Sequence, residues 1–396
     1  MTVTSVEARA QVETLLATAR QALGVTATFL SRMDGQTQRL EQVDSSVPLL
    51  FQEGYTQRQD RTLCQAVLDG DLPAVMPDLR KHPLAMTLPA AKFPRLRSYI
   101  SVPVVLSDGS LYGTFCGAGL TADRGLSSRD KALMDVLARA AAMVLEPELR
   151  EQERRDGLLS RFDPLMADGG PRILLQPIVA LADGRRTGAE ALSRFPVEWG
   201  TPPDVAFEQA HSVGVGDRLE LLALRRAAGL LDSVDGYVSL NVSPSTLITP
   251  ECRALLHGLP VERVLLELTE HDAVQDYDTV RSVLEPLRRK GLRLAIDDVG
   301  AGFSSLRHIV LTSPDVLKLD RSIIDGIAGD TVLRTLVASL VTFAHACSAT
   351  LVAEGIERAE DAVVLRELGV DSGQGWYFGR PVEPAELAAV RTVVAA

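Results

Sequence analysis

Residues 293–323 read RLAIDDVGAGFSSLRHIVLTSPDVLKLDRSI. Two short apolar runs stand in it, and each closes on charged residues: Asp297-Asp298 after the first, Lys318 and Asp320 at the end of the second. Apolar runs of this length, bounded by turn residues, predict buried strands. Outward in both directions the pattern recurs as ILLQPIVAL (173–181), TGAEALSRF (187–195), YVSLNVS (237–243), RVLLELTE (263–270), ATLVAEGIE (349–357) and GQGWYFGRP (373–381). Helical periods such as LELLALRRAAGLLD (219–232) and TVLRTLVASLVTFAHA (331–346) separate most of them. Alternation of β with α predicts a mainly parallel sheet. Eight strand segments in about 235 residues fit a closed (β/α)8 barrel, with functional side chains at the C-terminal strand ends. An open doubly wound sheet is the alternative.

The ends of these strands carry Glu190, Asn241, Glu267, Asp297 with Asp298, Lys318 with Asp320, Glu354 with Glu357, and Gln374. Any one of these acids alone reads as a helix cap, a solvated carboxylate or a salt-bridge partner. Gathered at one barrel mouth they repel one another unless cations neutralise them. Oxygen ligands suit magnesium or manganese, and the adjacent pair Asp297-Asp298 would let one carboxylate bridge two metals. Such a pair of ions supports phosphoryl transfer to water.

The N-terminal part has a different grain. Val12, Leu15, Leu16, Ala19 and Leu23 recur at helical spacing, and TATFLSRMDG (26–35) then alternates like a strand. RTLCQAVLDG (61–70) reads as a helix, and SYISVPVVLSDGSLYGTFCGAG (98–119) as a hairpin turning at Ser107-Asp108-Gly109. From Ser127 to about Phe162 runs a capped helical pattern interrupted by Pro147, read as a linker helix with a kink.

With 396 residues, 46% of them apolar and 23% charged, the chain predicts two folded domains and excludes wholesale disorder. Forty-one basic against 52 acidic residues leave a formal charge of −11. That balance disfavours duplex nucleic acid or a membrane surface as partner, and an anionic substrate would need locally placed cations. No window of eighteen apolar residues occurs, and the start MTVTSVEARAQVE lacks the layout of a secretory signal, so a cytoplasmic location is expected. Cys64, Cys116, Cys252 and Cys347 show no CxxC spacing and read as reduced thiols. No phosphate-binding GxxxxGK[ST] loop and no Ser-His-Asp triad is readable.

DRTLCQAVLDGDLPAVMPD (60–78) and the 98–119 hairpin, between a first and a closing helix, resemble the GAF family of sensory domains. That resemblance implies a small α+β domain over residues 1–146, binding a small molecule of unknown kind or no ligand. Cys64 and Cys116 lack the following histidine common at bilin attachment sites and read as buried structural thiols. Residues 147–160 would be the helical linker.

Over residues 161–396 the resemblance is to the EAL domain of bacterial cyclic di-GMP phosphodiesterases. Its signature is Glu190-Ala191-Leu192, and LNVSP, LELTE, AIDDVGAGFSSL, VLKLDRS, VAEGIE and GQGWYFGRPV follow in order. The resemblance implies a TIM-like α/β barrel and metal-dependent hydrolysis of cyclic di-GMP to linear pGpG; an EAL domain that binds the dinucleotide as a receptor without turnover is the alternative. It implies Glu190, Asn241, Glu267 and Asp297 around one metal, Mg or Mn, and Asp297, Asp298 and Glu354 around a second. Lys318 would stand near the nucleophilic water, Glu357 would orient it, and Glu190 joins them as a catalytic group. Gln176, Leu192, Arg194, Asp320 and Gln374 fall on the substrate side, and Glu270 would stabilise the loop after the Asp pair. Val299, Ala301 and Phe303 stand where relatives carry Phe, Thr and Tyr, and Phe195 replaces a usual tryptophan. No segment resembles a GGDEF cyclase. A homodimer is expected by analogy with both families.

Overall fold

The computed structural model describes residues 5–268, 277–299 and 312–389, the side chains of residues 277 and 298 excepted. The chain divides into two compact units, Met1–Asp156 and Gly157–Ala396.

In the first unit a helix over Val6–Leu23 starts where the Ser5 side chain accepts from the amide of Ala8 and stops at Gly24, whose φ of 64° ends the turn. It buries Val12, Leu16, Ala19 and Leu23, the stripe its spacing predicts. An antiparallel sheet of six strands follows: β1 (Ala27–Met33), β2 (Thr37–Ser45), β3 (Thr56–Arg58), β4 (Val75–Met76), β5 (Ser98–Val105) and β6 (Leu111–Gly119), in the order β3-β2-β1-β6-β5-β4. β5 and β6 form the expected hairpin. Alternation along these two strands supplies two cores: Ile100, Val102, Val104 and Phe115 pack on one side, Tyr99, Cys116 and Ala118 on the other. The predicted helix at 61–70 shortens to Leu63–Leu68. The closing helix, Ser128–Ala167, continues through Pro147 and Pro164 without interruption.

The second unit is a closed barrel of β7 (Arg172–Ala180), β8 (Arg186–Arg194), β9 (Tyr237–Val242), β10 (Val264–Leu268), β11 (Arg293–Val299), β12 (Val316–Leu319), β13 (Thr350–Ala353) and β14 (Ser372–Gly373). β8 through β14 run parallel, in sequence order. β7 is antiparallel to both its neighbours, β8 and β14, a departure from a regular (β/α)8 pattern. The connection over residues 181–185 explains it: a parallel crossover needs a dozen residues or more, and a short link turning through Gly184 permits only a hairpin. The eighth run also differs. Its strand is only Ser372–Gly373, and residues 374–381 leave the ladder as turns.

Inside the barrel Ile178, Tyr237, Leu265, Ala295, Val316 and Val352 form an apolar layer. Advancing two residues along each parallel strand reaches Ser239, Glu267, Asp297, Lys318 and Glu354 on the same inward face. On β7, which runs the other way, the equivalent step goes back two residues to Gln176. An apolar floor therefore carries a polar layer directly above it.

Candidate functional site

Lys318, 1% exposed, centres that layer. Its Nζ lies 2.9 Å from Glu267 Oε2, 3.4 Å from Asp297 Oδ2 and 3.7 Å from Glu190 Oε2, and pairs with Glu354 Oε1. Burial alone would drive this ammonium neutral, yet the four carboxylates outweigh it and hold its pKa well above the ordinary value. The carboxylates feel the opposite imbalance. Burial, with Glu190 and Asp297 adding like charge, pushes Glu267 up to about 8 despite the ammonium beside it. Burial raises Glu354 as well. Glu267 also accepts from Ser239 Oγ.

On one side of the acids, amides extend the network. Asn241 Nδ2 donates to Glu190 Oε1 at 3.0 Å, and Gln374 Nε2 donates to Glu190 Oε2 at 2.6 Å and to Gln176 Oε1 at 3.0 Å. Gln176 Nε2 in turn reaches the carbonyl of Gly379 at 3.1 Å. Gln374 Oε1 is buried with no partner among the described residues. Beside them opens a cavity of about 500 Å³ lined by Leu192, Arg194 and Asn241, with Phe207 and Leu240 among its apolar walls. Arg194 is half-buried there. Burial lowers its pKa, Glu190 opposes that, and Nη1 donates to the carbonyl of Ser193.

The family model of the EAL domain matches residues 163–381. The chain belongs to the EAL domain family. The GAF domain model matches residues 7–145. Among curated proteins, a cyclic di-GMP phosphodiesterase of Pseudomonas aeruginosa, NbdA, is 33% identical over 257 residues, 61% of this chain and 31% of that one. A probable cyclic di-GMP phosphodiesterase of Escherichia coli, PdeB, is 30% identical over 218 residues, 52% of this chain and 41% of that one. The chain thus spans less than half the length of these relatives. Among solved structures, the EAL enzyme Bd1971 in its form bound to cAMP and cyclic di-GMP has a TM-score of 0.54 at 20% identity, covering 92% of this chain and 93% of that one, a likeness of fold.

Within the EAL barrel, Glu190, Asn241, Glu267, Asp297, Lys318, Glu354, Gln176 and Gln374 are brought together, with Glu190 and Gln176 contributing from the middle of β8 and β7 and not from strand ends. Two expected site residues are engaged elsewhere. Asp320 accepts from the amide of Ser322 and caps the helix Arg321–Ile324, and Glu357 pairs with Arg321 Nη1 at 2.9 Å. The Asp298 side chain, Glu270, Ala301 and Phe303 lie outside the described residues. Val299 is buried at the end of β11. Phe195 stacks on Trp199 at 5.5 Å and meets Phe207 edge-on at 5.3 Å, filling an aromatic corner beside the cavity. Ser239 was not singled out in the sequence, although its place two residues before Asn241 puts it on the same face of β9. Glu220 was also missed: it accepts from Ser243 Oγ at 2.7 Å and pairs with His211 at 2.9 Å along the cavity wall. Nothing in the sequence pattern distinguishes it from other helix acids.

Among the described residues no three Asp, Glu, His or Cys side chains are disposed to hold one metal ion; the ammonium of Lys318 meets the acids instead. The donor chemistry nevertheless fits a hard divalent cation. Four carboxylates face the Lys318 ammonium, the side chains facing it offer oxygen donors, and the buried Gln374 Oε1 has no partner among the described residues.

Proposed function

We propose that the barrel hydrolyses one phosphodiester of cyclic di-GMP to linear pGpG, supported by two divalent cations, Mg or Mn. The observation that carries the reading is the excess of buried and half-buried carboxylates around Lys318 in the barrel mouth, beside a cavity lined in part by Arg194. Glu190, Asn241, Glu267 and Asp297 would hold one ion, and Asp297, Asp298 and Glu354 the other. Bound there, the ions supply an activated water and neutralise charge developing on phosphorus. Arg194 would pair with a phosphate, its fork matching two oxygens. Leu192 packs beside the base, and the Gln176–Gln374 pair, with the open Gln374 Oε1, would meet the dinucleotide by exchanging its present bonds. The Lys318 ammonium stabilises negative charge on the attacking and phosphoryl oxygens. Glu357 would leave Arg321 to orient water, and Asp320 would reach the substrate only by giving up its cap.

In this reading residues 1–146 are a GAF input domain, 147–160 the linker and 161–396 the output, in a cytoplasmic homodimer. Among the described residues no helix is long and apolar enough to cross a membrane. Incubation of the protein with cyclic di-GMP and Mg or Mn, followed by chromatography, tests the reading. It expects pGpG from the natural chain and none from Glu190→Ala. A second reading, a receptor that holds the dinucleotide without cleaving it, is favoured by the ammonium-centred arrangement of the acids. In that case the metals would raise affinity and produce no pGpG.

A further inference from the structure

Two cysteines of the N-terminal unit lie side by side in its core. Cys64, on the helix Leu63–Leu68, and Cys116, on β6, bring their sulfurs to 3.5 Å. Donors crowd the first sulfur: Gln38 Nε2 lies 2.7 Å and Tyr99 Oη 2.8 Å from Cys64 Sγ. Cys116 Sγ is held by Tyr99 Oη at 3.3 Å, Ser101 Oγ at 3.3 Å and Thr114 Oγ1 at 3.2 Å. A cavity of about 300 Å³ is lined by Cys64, Gln38 and Tyr99 together with Phe51, Pro89 and Phe93. Cys116 does not line that cavity. One cysteine of the pair therefore lines a space that a small molecule can occupy, and the other, 3.5 Å from it sulfur to sulfur, does not.

The two thiols are not equivalent. Burial pushes both upward, but hydrogen bonds from Cys116, Thr114, Tyr99 and Gln38 overcome it at Cys64 and lower that thiol below its ordinary value. Cys116 moves the other way, raised by burial and by the negative charge forming on Cys64. The place of Cys64 in the cavity wall and the donors Gln38 and Tyr99 beside it mark it as the attacking thiol of the pair. Cys252 is different: among the described residues it has no such donors, and burial pushes it up to about 12.

We propose that Cys64 and Cys116 form a reactive dithiol whose substrate is a hydroperoxide entering the cavity. Cys64 Sγ attacks the terminal peroxide oxygen; an S–O bond forms, the O–O bond breaks, and the alkoxide or hydroxide leaves with a proton as alcohol or water. Cys116 Sγ then attacks the resulting sulfenic sulfur, forming the S–S bond and releasing the second oxygen as water. The sum is two thiols and one hydroperoxide giving one disulfide, one alcohol or water, and one water. The sulfurs need to approach by roughly 1.5 Å to reach bonding distance.

Peroxide treatment of the full chain, alkylation of the remaining thiols after unfolding, and tryptic mass mapping form the test. Cys64 and Cys116 fall on separate tryptic peptides, 62–80 and 98–124, so a bond between them is read directly as a cross-linked pair. The expected result with one equivalent of hydrogen peroxide is that cross-link, reversed by dithiothreitol, with the buried Cys252 still alkylated. Cys116→Ser should stop at the first step and yield a dimedone adduct on Cys64. Alkylation of both Cys64 and Cys116 in treated natural chain, with oxidation confined to the exposed Cys347, would overturn the proposal. Because the natural chain alone decides, a misfolded variant leaves the test intact, and neither outcome depends on cyclic di-GMP.

Discussion

Removing the ammonium of Lys318 would leave Glu190, Glu267, Asp297 and Glu354 facing one another without a cation. Lys318→Met should therefore destabilise the metal-free barrel by about 3–5 kcal/mol, the range for stripping one partner from a buried ionic cluster. Urea unfolding in chelator measures it, and added Mn should recover much of the loss if the acids bind divalent ions. Glu267 gives the pH dependence its sign. Its folded value, about 8, lies above the ordinary 4.5. Its contribution to stability is therefore complete below about pH 4.5 and disappears as pH rises through about 8. Glu354, also raised, works in the same direction. Urea midpoints in chelator should fall between about pH 5 and 8.5, and Glu267→Gln should flatten that fall. An unchanged slope in the variant would assign it to other groups.

At the scale of elements, alternation explains both what could be read in advance and what could not. A strand sends every second side chain inward, so RLAIDD and VLKL announce Asp297 and Lys318 as mouth residues from the sequence alone. The same rule reaches Ser239 through Asn241. Asp320 and Glu357 defeat it because they stand just beyond their strands, where a local cap and the side chain of Arg321 compete for the carboxylates. The reversed β7 was legible in the short connection closed by Gly184, whereas the two-residue β14 was not, since GQGWYFGRP looks strand-like and its turns are imposed by packing. Gly375 shows that packing. It sits at φ +152°, and a Cβ there would lie 2.2 Å from the backbone N and O of Ile356. Gly375→Ala should cost about 2–3 kcal/mol, as strain at a special backbone position does, and displace Gln374. Thermal unfolding checks the first part; if the barrel binds cyclic di-GMP as proposed, a weakened affinity checks the second.

At the scale of the molecule, the helix Ser128–Ala167 belongs to both units. Met134, Leu137, Ala141 and Leu145 pack in the first core, Phe162 and Met166 in a cluster of the second, and the charged run EQERRDG (151–157) lies between. Separate cores predict two calorimetric transitions, of which Mn with cyclic di-GMP should raise only the barrel's. The barrel itself is closed unevenly. β7 and β8 pair along nearly their whole length, while β14 meets β7 at only Ser372↔Ala180 and Gly373↔Val179, with an isolated bridge from Leu175 to Val382 nearby. The hoop thus has a clasp, and the two glutamines that flank Glu190 sit on its opposite halves. Amide exchange should be fast along this seam, and if a dinucleotide bridges Gln176 and Gln374 it would fasten the seam from the inside, so occupancy would be legible as slowed exchange of the β7 and β14 amides.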